Sequence, residues 1–167
     1  KLARIMVAYG ILFINCPIIF FRFLHLEKKD GITIRTRWEN LYLNSHILKE
    51  KLDWLHFGFA TMSIRRENVA RAIGAKMGVS LRGYDICVYP LKHPRCYQRL
   101  WDEVNKAHSI SSDLLVAAHE QGLKDKTPQV TIHPAINVVH VKLEGKNRGT
   151  FSHTETIHVL TVARLQW

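Results

Sequence analysis

The pattern of apolar and polar positions in Leu52–Asp85 predicts a strand, a helix and a second strand. Leu52–Phe57 and Ala75–Leu81 are short apolar runs of the length expected for buried strands. We expect the helix between them to begin at Ser63, whose hydroxyl can cap it, and to end at Gly74. The predicted apolar face of this helix consists of Ile64, Val69, Ala72 and Ile73. This order is that of a βαβ unit, in which ligands bind at the carboxyl ends of the strands.

Similar patterns predict further elements along the chain. The predicted helices are Trp38–Lys51, Tyr97–Val104 and a segment from Ser111 or Ser112 to Gly122. The predicted strands are Lys106–Ile110, Val130–Ile132 and Ile157–Val162. Residues 86–98 contain two prolines, and we interpret them as an irregular lid or binding loop.

Strands that alternate with helices predict an α/β fold with a Rossmann-like, mainly parallel sheet and helices on both faces. The chain begins without methionine and stops inside an apolar run, so we interpret it as an excerpt of a longer protein. On this interpretation residues 1–150 are one domain that lacks its first strands. Residues 151–167 then hold the first strand of a second, truncated domain.

Residues 5–21 form an uncharged run with the composition of a membrane helix. The run is at or below the roughly 17–25 residues that span a bilayer, and Gly10, Asn15 and Pro17 interrupt it. Three interpretations are open: a helix kinked at Pro17 that packs on the domain or lies on a membrane, a true span, and a signal segment. A signal segment is disfavoured, because no small-residue cleavage site follows the run. Of the three we favour the first, by analogy with helices that lie at a membrane interface.

The charge balance favours anionic partners. The chain has 24 Lys and Arg residues against 14 Asp and Glu residues, a net charge of +10, which suits an anionic membrane surface or phosphorylated small molecules. Nucleic acid is not expected, because no basic block with interleaved aromatic residues is present. The three cysteines and ten histidines show no disulfide or metal-binding spacing, so we expect no metal and no cofactor.

Polar side chains follow the predicted strands. His56 and Gly58 end the first strand, Arg82, Gly83, Tyr84 and Asp85 follow the second, and Ser109 and Ser112 follow the third. A cation, an aromatic ring and a carboxylate close together suit a sugar or a phosphate, and serines at a helix start can bind a phosphate. A structural interpretation is open for each: a core histidine, an ordinary turn and a helix cap.

The fingerprints of several large enzyme classes are missing from the sequence. There is no GxGxxG, no P-loop and no GxSxG, so the dinucleotide, nucleoside triphosphate and hydrolase motifs are absent. Five other stretches occur in a particular order: LDWLHFGFA, VSLRGYD, AHSISSDLLVAAHEQG, VTIHPAI and HVLTVARLQW. In this order they resemble glycosyltransferase family 4, a group of retaining, nucleotide-sugar-dependent enzymes with the GT-B fold.

The resemblance implies roles for individual residues. His56 to Gly58 match the family's histidine-containing strand end at the interdomain cleft, and His56 is the implied catalytic residue. Residues 82–85 match a His-Gly-Tyr-Asp loop near the acceptor and the donor sugar, with Arg82 in place of the histidine. Ser109 and Ser112 match a serine-bearing strand end and helix start. Arg164 matches the arginine of a Gly-Arg-Leu motif that holds the donor diphosphate, although Ala163 stands where the family has glycine.

The expected function is therefore transfer of a sugar from a nucleotide-diphosphate sugar to a lipid-linked or polysaccharide acceptor. The nucleotide sugar is a co-substrate, and the expected location is the cytoplasm, peripheral on the inner face of the plasma membrane. We expect the excerpt alone to be inactive. The alternative from another class is a non-catalytic, membrane-associated binding module.

Overall fold

The computed structural model describes residues 2–135, which fold into seven α-helices and four β-strands. The helices are α1 (Leu2–Asn15), α2 (Pro17–Lys29), α3 (Ile34–Leu48), α4 (Val69–Ile73), α5 (Tyr89–Lys92), α6 (Gln98–Glu103) and α7 (Ser112–Glu120). The strands are β1 (Trp54–Phe57), β2 (Lys76–Leu81), β3 (Lys106–Ser109) and β4 (Gln129–Thr131).

The four strands form one parallel sheet in the order β1-β2-β3-β4. Their positions agree with the four predicted strands in this part of the chain, and the α/β class and the parallel sheet are confirmed. The predicted strand at residues 157–162 and the predicted second domain at residues 151–167 lie outside the described residues.

One face of the sheet carries the main hydrophobic core. Alternate side chains point to opposite faces of a strand, and the first face carries the buried side chains of Phe57, Met77, Val79, Leu81 and Ala107. Residues of α6 and α7 pack on them, among others Leu100, Trp101, Leu114 and Ala118. Crossover connections between parallel strands are right-handed, so a sequential strand order places the connecting helices on the same face.

The second face of the sheet is polar and partly open. Trp54 and His56 of β1, Lys76 of β2 and Lys106 of β3 are exposed there, and the ammonium of Lys76 lies 5.6 Å from the centre of the Trp54 ring. No strand side chain of this face belongs to a hydrophobic core within residues 2–135. The predicted helix layer on the second face is therefore not found in this part of the chain.

Helices α1, α2 and α3 pack together around a second core that also includes Val69 and Ala72 of α4. Pro17 is the first residue of α2, and α1 and α2 are bent by 113° where they meet. The predicted kink at Pro17 is thus a break between two helices. Among residues 2–135, no single helix is long and apolar enough to cross a membrane. Only the bent pair α1 and α2, taken together, has the required length and composition.

A buried polar network fixes these helices on the rest of the domain. Glu27 of α2 is 1% exposed, and its two carboxylate oxygens accept hydrogen bonds from Asn40 Nδ2 at 2.7 Å and Asn68 Nδ2 at 3.0 Å. Arg65 Nε donates to Asn40 Oδ1 at 2.7 Å. A buried carboxylate is tolerated when donors satisfy it, and these donors come from segments far apart in the sequence.

The helix of the βαβ unit is shorter than predicted. It begins at Val69, because Ser63 ends a 3₁₀ turn (Ala60–Ser63) and its hydroxyl donates to the carbonyl of Ala60 at 2.6 Å. The prediction that Ser63 caps the helix is therefore wrong. Gly74 ends the helix as predicted, with φ of +82°, a conformation that favours glycine.

The segment after β2 is helical and not the irregular loop that the two prolines suggested. A π-helical turn (Tyr84–Val88) leads directly into α5, and α6 follows. Tyr97 is 2% exposed, and its hydroxyl donates to the carbonyl of Asp85 at 2.7 Å. This contact fixes the segment on the domain, so the prediction of an irregular lid or binding loop over residues 86–98 is not supported for residues 86–92, which are helical.

Candidate functional site

The candidate site lies where the strands of the parallel sheet end. β1 ends at Phe57, β2 at Leu81 and β3 at Ser109, and Leu81 pairs with Ser109 across the sheet. Since the strands are parallel, their carboxyl ends share one edge. The segments that begin at Gly58, Arg82 and Ile110 therefore start at this edge, as the sequence predicted.

Arg82 is exposed and bridges the ends of β1 and β2. Its Nε donates to the carbonyl of Gly58 at 3.2 Å, and its guanidinium carbon lies 5.0 Å from the centre of the Phe59 ring. Both contacts orient the guanidinium. Among the described residues no carboxylate forms a salt bridge with Arg82. A salt bridge from Arg82 to Asp85 or Glu67, which would give this arginine a purely structural role, is therefore not found among these residues.

Asp85 is buried, at 0% exposure, and serves the loop itself. Its carboxylate accepts the backbone N–H of Ala60 at 2.6 Å and the backbone N–H of Arg82 at 3.0 Å. Burial raises the pKa of this carboxyl group, while those hydrogen bonds and the Arg82 charge act in the opposite direction. A carboxylate enclosed in this way connects the β1 and β2 ends. Its role in substrate binding stays a prediction.

Three other predicted residues leave open space at the edge. Gly58 and Gly83 have nothing within 4 Å of the position that a Cβ would occupy. Tyr84 is 50% exposed, and its ring centre lies 6.5 Å from that of Tyr89. An exposed aromatic ring of this kind can contact a sugar ring.

The two predicted serines differ. Ser109 is 0% exposed, and its hydroxyl donates to the carbonyl of Ser111 at 2.7 Å and accepts the N–H of Ser111 at 3.3 Å. It shapes the turn before α7, so the prediction that it binds substrate is not supported. Ser112 is exposed as the first residue of α7, where backbone N–H groups favour anions.

His56 belongs to the second face of the sheet. Its Nε2 lies 2.9 Å from the hydroxyl oxygen of Ser80, and the same oxygen lies 2.9 Å from Nδ1 of His108. The Nδ1 edge of its ring points at Gly78, where an added Cβ would lie 2.8 Å from Nδ1. The hydrogen bond of His56 in the described part of the chain thus joins it to this row, and not to Arg82 or Tyr84.

Ser80 and His108 were missed by the sequence-based reasoning. They occupy alternate positions of β2 and β3, opposite to the apolar face, so the two-residue period of each strand contained the signal. Nothing in the sequence shows that three strands bring His56, Ser80 and His108 together.

The described residues also form a cavity away from this edge. A cavity of about 370 Å³ is found at the amino ends of β2 and β3, lined by charged residues that include Glu67, Arg71, Lys76, Asp102 and Glu103. Its lining carries both signs of charge, and two of its members, Arg71 and Glu103, form a salt bridge at 2.9 Å. The carboxyl edge is an open surface by comparison, and it holds most of the predicted residues.

The remaining predictions have no structural test. Arg164 lies outside the described residues, and within residues 2–135 no three His, Cys, Asp or Glu side chains are grouped to hold a metal ion. Comparisons with protein-family models, with curated proteins and with solved structures found no match.

Proposed function

We propose that this chain is the acceptor-side domain of a retaining glycosyltransferase of the GT-B type. In this proposal a sugar moves from a nucleotide-diphosphate sugar to a lipid-linked or polysaccharide acceptor. The observation that carries the proposal is the carboxyl edge of a parallel sheet, where the exposed Arg82, at the end of β2, donates through Nε to the carbonyl of Gly58 at the end of β1. The resemblance of the five sequence stretches to glycosyltransferase family 4 supplies the reaction type.

The chemistry of this edge suits an anionic or polyhydroxylated ligand. The guanidinium of Arg82 offers a planar set of donors that fits a phosphate or carboxylate. The residue is oriented through Nε and the Phe59 ring, and its other donors have no partner among residues 2–135, which leaves them for a ligand. Transfer from a nucleotide sugar requires stabilisation of the departing diphosphate, which fixed positive groups provide.

The test is an assay of the full-length protein with a panel of nucleotide sugars and lipid-linked acceptors. We expect transfer from one donor, with retention of the anomeric configuration. Residues 1–167 alone serve as the negative control, because glycosyltransferase family 4 binds the donor largely with residues of a second domain. No transfer with any donor, or turnover by residues 1–167 alone, contradicts the proposal.

A second candidate, a membrane-associated binding module, is favoured by a separate observation. Ile14 and Ile18 are 77% and 80% exposed on α1 and α2, and Phe13 and Phe21 next to them are 49% and 59% exposed. A contiguous apolar surface of this kind marks an interaction site. Membrane binding without sugar transfer would support the module, whereas both together fit a transferase that acts on a membrane-bound acceptor.

A further inference from the structure

The 3₁₀ turn that follows β1 exposes two apolar side chains at the carboxyl edge of the sheet. Ala60 and Ser63 of this turn are buried, whereas Phe59 and Met62, each one residue earlier, are 44% and 49% exposed. Residues three apart in a 3₁₀ turn lie above one another, and the N–H of Met62 donates to the carbonyl of Phe59 at 3.1 Å. Phe59 and Met62 thus form an exposed apolar pair, here called the edge pair.

Each residue of the edge pair has a guanidinium group next to it. The guanidinium carbon of Arg82 lies 5.0 Å from the centre of the Phe59 ring, and Nη1 of Arg66 donates to the carbonyl of Met62 at 2.9 Å. Within residues 2–135 neither arginine forms a salt bridge. The carboxylate of Asp85 is buried and bonded to backbone N–H groups. Both positive charges are therefore available to an anionic ligand.

Positive groups beside an exposed apolar pair fit a ligand that is anionic at one end and apolar at the other. A free phosphate would use the arginines but leave the edge pair in water, and an uncharged hydrocarbon would do the reverse. A lipid phosphate uses both features. Its phosphate oxygens accept hydrogen bonds from the guanidinium groups, and its first methylene groups remove the edge pair from water.

We propose that the edge pair, together with Arg66 and Arg82, binds the phosphate and the adjoining hydrocarbon of a lipid phosphate. A surface of four side chains covers only the head group and the first carbons, so the rest of the hydrocarbon stays in the membrane. This ligand class selects a lipid-linked acceptor over a polysaccharide acceptor, and that part of the inference rests on the proposed function.

The experiment titrates the full-length protein with dodecyl phosphate carried in micelles of a non-ionic detergent. Methyl phosphate and empty micelles are the comparisons. Dodecyl phosphate should bind at least about tenfold more tightly than methyl phosphate, the worth of burying about two methylene groups. Arg66→Gln and Met62→Gln should each weaken its binding about tenfold, through loss of a charged hydrogen bond and of apolar contact. Neither substitution should affect binding to empty micelles, and thermal unfolding curves check that both variants keep the fold.

Two variants elsewhere on the surface are matched controls. Lys106→Gln removes an exposed positive charge at the amino end of β3, and Val116→Gln removes an exposed apolar group of α7. Both should bind dodecyl phosphate as the unsubstituted protein does. Equal affinity for methyl and dodecyl phosphate overturns the inference, and so does equal binding by the edge variants and the controls. Binding as expected without sugar transfer from any donor supports the surface and contradicts the proposed function alone.

Discussion

At the scale of single residues, Arg82 combines a permanent charge with a fixed orientation. Lysine at this position would keep the charge but lose the planar donors, the Nε bond to Gly58 and the contact with Phe59. If the full-length protein transfers a sugar as proposed, we expect Arg82→Lys to lower kcat/KM roughly 30- to 1000-fold, about 2–4 kcal/mol of transition-state binding. Steady-state kinetics with the preferred nucleotide sugar provide the measurement.

The same variant separates binding from structure. Arg82 is exposed, so the free energy of unfolding should change by less than about 0.5 kcal/mol. Arg82→His, which introduces the residue usual in the family, serves as the matched comparison. Full activity of Arg82→Lys, or an effect confined to the melting temperature, would contradict a role in ligand binding.

Asp85 shows the opposite behaviour, because it serves the fold. Asp85→Ala leaves the N–H groups of Ala60 and Arg82 buried without an acceptor. We expect a loss of about 2–6 kcal/mol in the free energy of unfolding, at about 1–3 kcal/mol for each unsatisfied donor. Asp85→Asn keeps one oxygen and should lose about half as much. Urea denaturation measures both, and equal stability of Asp85→Ala and the unsubstituted protein would refute the structural role.

The burial of Asp85 can also be tested by comparing the free energy of unfolding of the unsubstituted protein and of Asp85→Asn as a function of pH. Burial raises its pKa in the folded protein above the ordinary value of 3.8, so the folded state binds the proton more tightly than the unfolded state. The stabilising contribution is therefore complete below that value and decreases as the pH rises through the raised pKa. Asp85→Asn removes this titration, so its deficit relative to the unsubstituted protein should shrink over that pH range.

At the scale of elements, two glycines can be compared, one at the end of a helix and one inside a helix. Gly74 ends α4 with φ of +82°, where a Cβ is unfavourable, and Gly74→Ala should destabilise the protein by about 1 kcal/mol. Gly10 lies inside α1 with nothing within 4 Å of its Cβ position, so Gly10→Ala should stabilise it by up to about 1 kcal/mol. Thermal and urea unfolding of the two variants should therefore shift in opposite directions.

At the scale of the whole molecule, the apolar surface of α1 and α2 and the basic charge predict peripheral membrane binding. Residues 2–26 contain Arg4 and Arg22 and no acidic residue, and the helices are bent by 113°. We expect high salt or carbonate to release the protein from membranes, since salt screens the attraction to anionic lipids. A need for detergent would instead favour a true span.

Vesicles of anionic lipid give a sharper version of this test. Ile14→Lys and Ile18→Lys should each weaken binding about tenfold or more, the worth of one buried aliphatic side chain. Their side chains are 77% and 80% exposed, so unfolding should be unaffected. Asn15→Lys, on the same exposed segment but without loss of an apolar group, is the matched control. Equal binding of all variants would exclude this surface.

The sequence by itself determined the elements and their class. Apolar periods, glycine positions and turn residues act over a few neighbouring residues, so the strands, the end of α4 at Gly74 and the break at Pro17 followed from local chemistry. The parallel order followed from strands alternating with helices. Charge likewise depends only on composition.

Tertiary structure alone decided what each polar side chain faces. Arg82 and Gly58 are 24 residues apart, and His56 and Ser80 are also 24 apart, so only the pairing of strands brings them into contact. From the sequence we predicted that Asp85 and Ser109 bind a ligand. In the structure both side chains are buried and form hydrogen bonds with backbone groups. A polar residue bonds to whichever group lies nearest after folding, and that neighbour comes from distant parts of the chain.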